Sequence, residues 1–153
     1  MRVIAFCIAI STSLTVNGGA EATPVEDSCL FLEVIGDNAS ANVPRMIGEI
    51  ATTWPETNRI AATETLSDVL NEITFAGGSV WQIAQLGSDI EEHLVILRHA
   101  DGEVSGVRLL YQWSPDGLDL TTLDFKRRYS EIVAIQMLQT PQSIECDDTD
   151  KSR

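Results

Sequence analysis

The sequence predicts an α+β domain, with N-terminal helices packed on one face of a curved antiparallel four-stranded meander. Three observations predict it. Apolar residues recur at three- and four-residue steps as far as Ile73, the spacing of a helix face. From Ser79 the period changes to two, the spacing of a strand. Turn dipeptides then divide the strand region into consecutive hairpins, and helices that precede such a sheet pack on it.

Met1-Arg2 gives a short positive start, Val3 to Val16 is nearly all apolar or small, and Asn17-Gly18-Gly19-Ala20 breaks the run. That order of charged, apolar and small regions is that of a cleavable signal peptide over residues 1–22, cut after Ala20 or Ala22. The run falls short of the roughly 18 residues that span a bilayer, and acidic residues follow it, so no stable membrane anchor is expected after cleavage. Residues 23–146 then form one domain and 147–153 a polar tail.

Thr23-Pro24-Val25-Glu26 reads as a helix start, with a capping Thr, a Pro at the first helical position and a Glu three residues on. The following Cys29 to Ile35 is also rich in strand formers, and Gly36-Asp37 ends either element. Val43, Met46, Ile47, Ile50, Ala51 and Trp54 lie on one face of a second helix that Asn42 can cap and Pro55 ends. Leu66, Val69, Leu70 and Ile73 mark a third, with Thr65 and Asp68 as a capping pair and Gly77-Gly78 as its close. Four strand runs follow, Val80 to Leu86, Glu91 to His99, Glu103 to Trp113 and Leu118 to Lys126. Tyr129 to Leu138 reads as a further strand or a short helix.

Composition bounds the function. The chain has 153 residues and a formal charge of −13, with 44% hydrophobic and 22% charged residues, a globular and acidic balance. Nucleic acid and anionic membranes repel such a charge, so neither is expected as a partner. Signal cleavage removes Cys7 and leaves Cys29 and Cys146, which an oxidising compartment would pair, closing a loop of 117 residues.

Three N-terminal helices before a meander, with Tyr111-Gln112-Trp113, Gly117-Leu118, Leu123-Asp124-Phe125 and Tyr129 in its closing strands, resemble small exported bacterial proteins of the nuclear-transport-factor-two-like superfamily. The resemblance implies a cone-shaped fold with a pocket. It names no chemistry, because that superfamily holds isomerases, dehydratases and domains without activity.

No nucleophile elbow, phosphate-binding loop or calcium-loop spacing occurs, and no cofactor is expected. His93 and His99 lie on the same side of one strand but too far apart to share a metal, so no metal site is assigned and both read as ordinary strand histidines. Glu91-Glu92 reads as a solvated charge pair, and Lys126-Arg127-Arg128 as a solvated strand end. A two-residue turn at Asp101-Gly102 would set Glu92 across from Tyr111, Leu94 across from Leu109 and Ile96 across from Val107. A loop at Ser114 to Gly117 would set Tyr111 across from Leu120 and place Asp124 on the same face, unless a bulge sends it to the other. That face would gather Trp113 and, through the covering helices, Trp54 into one core. Glu92, Tyr111 and Asp124 are therefore the candidate ligand site, with an apolar surrounding that would raise a carboxyl pKa.

The expected function is an exported, non-enzymatic domain that binds a partner protein or a small apolar ligand. One alternative is a cofactor-free isomerase, dehydratase or hydrolase that uses Glu92 or Asp124 with Tyr111. Another is an acidic inhibitor or immunity-type protein, for which the charge speaks.

Overall fold

A computed structural model of the chain describes residues 23–135 and 137–146. The segment read as a signal peptide and the tail beyond Cys146 lie outside the described residues. The fold is α+β, with helices followed by a five-stranded antiparallel sheet. Helix α1 spans Pro24–Gly36, α2 Val43–Ile50 and α3 Glu56–Glu72. Strands β1 (Phe75–Leu86), β2 (Ile90–His99), β3 (Val104–Ser114) and β4 (Gly117–Lys126) form the meander. A short helix α4 (Tyr129–Val133) and a three-residue strand β5 (Gln142–Ile144) complete it, and β5 returns beside β1 to give the order β4-β3-β2-β1-β5. The sheet therefore has five strands rather than four. β5 has too few residues to show a period, so alternation could not announce it.

The start of α1 is as its residues dictate. Thr23 accepts from the Glu26 backbone N–H, and the Glu26 carboxylate accepts from the Thr23 N–H in return. Burial along α1 falls at Pro24, Asp27, Ser28, Phe31, Val34 and Ile35, one stripe at helical spacing that includes two polar residues. Helix α3 starts earlier than expected, behind Pro55, so Thr65 lies in its interior and its hydroxyl donates back to the Ala61 carbonyl instead of capping. Gly77 and Gly78 do not close this helix; they belong to β1. A side chain at Gly78 would collide with the Ile96 carbonyl and with Leu32 of α1, so glycine is what lets the helix and the neighbouring strand approach.

The main core joins α1 and α2 (Phe31, Ile35, Met46, Ile47) to Val80, Val95, Leu97, Val107, Leu109, Tyr111 and Leu120 of the sheet. Leu94 lies on the opposite face in a smaller cluster with Ile83, Ile132 and Ile135, against which Ile96 packs. Both faces are thus partly covered, with α4 on the second, and helices are not confined to one side. Trp54 packs on the main core, whereas Trp113 is half-buried and belongs to neither cluster.

The expected register between β2 and β3 is wrong by one residue. Val95 faces Val107, Glu91 faces Tyr111 and Glu92 faces Leu110. The cause is the turn. His99 N–H donates to the Glu103 carbonyl around a three-residue loop, Ala100-Asp101-Gly102. Of these residues only Gly102, at φ 92°, has a positive φ, where a two-residue type I′ turn needs two such residues. The added residue turns every side chain of β2 to the other face relative to β3. Between β3 and β4 the expected pairs Trp113–Leu118 and Tyr111–Leu120 do form. A bulge at Thr121 then shifts the rest of β4, so Leu123 faces Leu109 and Asp124 faces Arg108.

Cys29 of α1 and Cys146 beyond β5 are joined in a disulfide, with Cα atoms 5.4 Å apart. It ties the C-terminal strand to the first helix. Among the described residues no helix is long and apolar enough to cross a membrane.

Candidate functional site

The residues expected to form a site are not brought together. Tyr111 is in the main core, while Glu92 and Asp124 point to the other face of the sheet. Glu92 is 6% exposed, and its Oε1 accepts from Nε of Arg108 at 2.6 Å and pairs with the same guanidinium through Nη2. Asp124 pairs with Lys126 at 2.9 Å on the strand surface. Arg127 pairs with Glu72 of α3, so two members of the basic run are engaged by carboxylates. These are structural ion pairs, and Glu92 has no access to the Tyr111 hydroxyl.

Tyr111 instead belongs to a buried relay that the sequence did not announce. Its hydroxyl lies 2.9 Å from Ser28 Oγ, Ser28 Oγ lies 2.7 Å from His93 Nδ1, and His93 Nε2 lies 2.6 Å from Glu91 Oε1. Gln82 Nε2 donates to the same Glu91 oxygen at 2.8 Å. The proton order follows from the end member. An ionised Glu91 can only accept, so His93 donates from Nε2 and accepts at Nδ1 from Ser28, whose oxygen then accepts from Tyr111. Serine, histidine and carboxylate in line have the connectivity of a hydrolase triad. Ser28, His93 and Tyr111 all have zero exposure, however, and their polar side-chain atoms are partnered within the relay. Attack on a substrate requires a carbonyl carbon next to Ser28 Oγ, and α1 occupies that space with Ser28 itself on its inward stripe.

Burial governs the titration of this cluster. It lowers the His93 pKa, against the opposing pull of Glu91, so the ring is held neutral. It raises the Tyr111 pKa. Next to Ser28, Asp27 is 8% exposed and its carboxyl makes no hydrogen bond among the described residues. Burial first, then the charges of Glu26 and Glu49, push its pKa up to about 7.

Comparison with protein-family models, with curated proteins and with solved structures finds no match. The geometry alone therefore carries the reading. Two signals in the sequence point to the relay once α1 is a helix. Asp27 and Ser28 interrupt the apolar stripe of Phe31, Val34 and Ile35, and His93 alternates with Val95 and Leu97 on the face that becomes the core.

The exterior differs sharply from this sealed interior. Helix α3 buries only Leu66 of its 17 residues. Glu56, Ile60, Glu64, Asp68 and Glu72 are all exposed at four-residue steps, one ridge along the helix, with Ile60 half-exposed at 51%. Among the described residues Glu56, Glu64 and Asp68 take part in no ion pair, and the last turn of α3 carries no basic residue.

Proposed function

We propose that the chain is an exported, non-enzymatic domain that binds a partner protein carrying a basic surface, with the α3 ridge as the face that meets it. The observation that carries this reading is the ridge itself. Like charges at i, i+4 destabilise a helix by about 0.2–0.5 kcal/mol per pair, and carboxylates at its C-terminal end oppose the macrodipole. Glu64 and Asp68 incur the first cost with each other, and Asp68 lies beside the last turn, where negative charge is disfavoured. Glu72 is offset by Arg127, but Glu56, Glu64 and Asp68 have no ion-pair partner among the described residues, and a basic partner would supply one. Occlusion of a basic active site, as by an acidic inhibitor, is one form such binding takes. Export is supported by the disulfide, which an oxidising compartment maintains.

A small apolar ligand is the weaker form of the binding reading, because Phe31, Ile35, Val107, Leu109 and Tyr111 fill the space between helices and sheet with zero exposure. The test is capture by the oxidised domain of proteins from its own compartment, beside the double variant Glu64→Lys/Asp68→Lys. A basic protein retained by the wild type, released as salt rises from about 0.05 to about 0.5 M, and not retained by the variant is the expected result. Retention that charge reversal leaves unchanged, or ester hydrolysis that disappears with Ser28→Ala, would overturn the proposal.

A further inference from the structure

At the far end of β2 from the relay, the second histidine has a different environment. His99 is 7% exposed, packed edge-on against Phe75, and its Nε2 lies 2.7 Å from Ser105 Oγ. Ser105 has one hydroxyl proton, and it goes to the Arg127 carbonyl at 3.2 Å. Ser105 Oγ must therefore accept from His99, which puts a proton on Nε2 and makes Nδ1 the nitrogen left for another ligand. Nδ1 has no hydrogen-bond partner among the described residues, and Asp101 Oδ1 stands 3.8 Å from it, too far for a hydrogen bond.

We propose that His99 Nδ1, Asp101 and Glu103 form a binding site for a divalent transition-metal ion of the zinc class. One ligand atom from each of the three lies within 4.8 Å of the others. Zinc bonds of about 2.0–2.1 Å need ligand atoms somewhat closer than that. His99 is the rigid member, and Asp101, with a side chain 71% exposed, and the exposed Glu103 can swing in. The hold on Nε2 through Ser105 is the outer support that orients a metal-binding imidazole and fixes its tautomer. The turn places the carboxylates. Asp101 Oδ1 accepts from the Glu103 N–H at 3.0 Å, which holds the two residues together in the turn that follows His99.

The surroundings suit a dication. The three groups line an open hollow of about 370 Å³ together with Glu72, Thr74 and Arg127. Its three carboxylates outweigh the single guanidinium. One imidazole nitrogen with carboxylate oxygens favours zinc-class ions over calcium and magnesium, which take oxygen alone. Three protein ligands beside an open hollow leave a coordination position for water or for a group of another molecule. The two histidines of β2 share no ion; the second and third ligands come from the turn.

Calorimetric titration of the oxidised domain with Zn²⁺ alone is the test, with Asp101→Asn and Glu103→Gln as variants. Both positions are exposed, so folding is retained, whereas a change at His99 would also remove the contact with Phe75. One Zn²⁺ per chain is expected, weakened about 10- to 100-fold in each variant. Zn²⁺ should also raise the wild-type Tm, and raise that of the variants less at equal concentration. Three results would overturn the proposal: no binding by the wild type, binding unchanged in both variants, or Ca²⁺ binding as tight as Zn²⁺.

Discussion

Replacing Asp27 with Asn isolates the one buried carboxyl whose charge the fold disfavours. In the unfolded chain the group has its ordinary pKa of 3.8, and in the domain about 7. Between those values the folded protein keeps a proton that the unfolded chain has lost. Stability from this group is therefore greatest below about pH 4, falls as pH rises towards 7, and is constant above. Three pKa units correspond to about 4 kcal/mol as a ceiling. The carboxyl retains a little exposure and can relax towards the rim of α1, so about 2 kcal/mol is expected. His93 works in the opposite sense. Its folded pKa is lowered by burial, so the unfolded chain takes up a proton first, and stability is lost as pH falls through about 6.5. The wild-type profile is the sum of the two, and Asp27→Asn should leave the His93 limb alone. Urea unfolding at several pH values between 4.5 and 8, for both proteins with the disulfide intact, gives the difference curve. It should be about 1 kcal/mol at pH 4.5, where the unfolded group is already mostly ionised, and reach about 2 kcal/mol in favour of the variant at pH 8. A flat difference curve, or a variant less stable at pH 8, refutes the reasoning.

Three further outcomes rest on named contacts of the fold. Ser28→Ala leaves the Tyr111 hydroxyl and His93 Nδ1 facing each other without exposure, and should cost about 2–4 kcal/mol in chemical unfolding; a loss under about 0.5 kcal/mol would mean that the relay is not formed. Glu92→Gln should cost about 1–3 kcal/mol through the weakened Arg108 pair and leave partner capture unchanged, whereas lost capture at full stability would restore Glu92 to a binding role. Reduction of Cys29–Cys146 should lower stability by about 2–5 kcal/mol, given the 117-residue separation; two thiols free to alkylation in the unreduced protein would contradict the bridge.

The helix-then-sheet order and the disulfide were legible because each rests on a local or compositional signal. The capping box at Thr23 and Glu26 is a contact within one turn of chain, and the period of two in the strands survives any register. What failed was long-range and hinged on single residues. Asp-Gly serves both a two-residue type I′ turn and the three-residue loop observed, and the choice decides whether Glu92 or Glu91 stands across from Tyr111. The Thr121 bulge leaves no composition signal, yet it takes Asp124 away from the core face. The two errors turn Glu92 and Asp124 alike, so these carboxylates still share a face, only not that of Tyr111. The relay was missed for a related reason. A buried face holding His93 and Glu91 looks too polar for a core until Ser28 and Gln82, from two other elements, supply the partners.

The two histidines show how partners decide the chemistry of a side chain more than its strand position does. Both occupy positions of the same parity in β2 and both are nearly without exposure. His93 has each ring nitrogen matched, Nδ1 by a hydroxyl that donates and Nε2 by a carboxylate that accepts, so no lone pair is left for an ion or a substrate. Extracting it would break a relay that reaches from β1 to α1. His99 has only Nε2 matched, and the matching group is itself anchored to a backbone carbonyl, so Nδ1 is held toward the Asp101–Glu103 turn by a stiff support. Rigid on the inside and open on the outside is the arrangement a metal ligand needs. A fully satisfied ring instead holds α1 on the sheet, and the same residue type in the same strand accordingly serves structure at one end and is available for binding at the other.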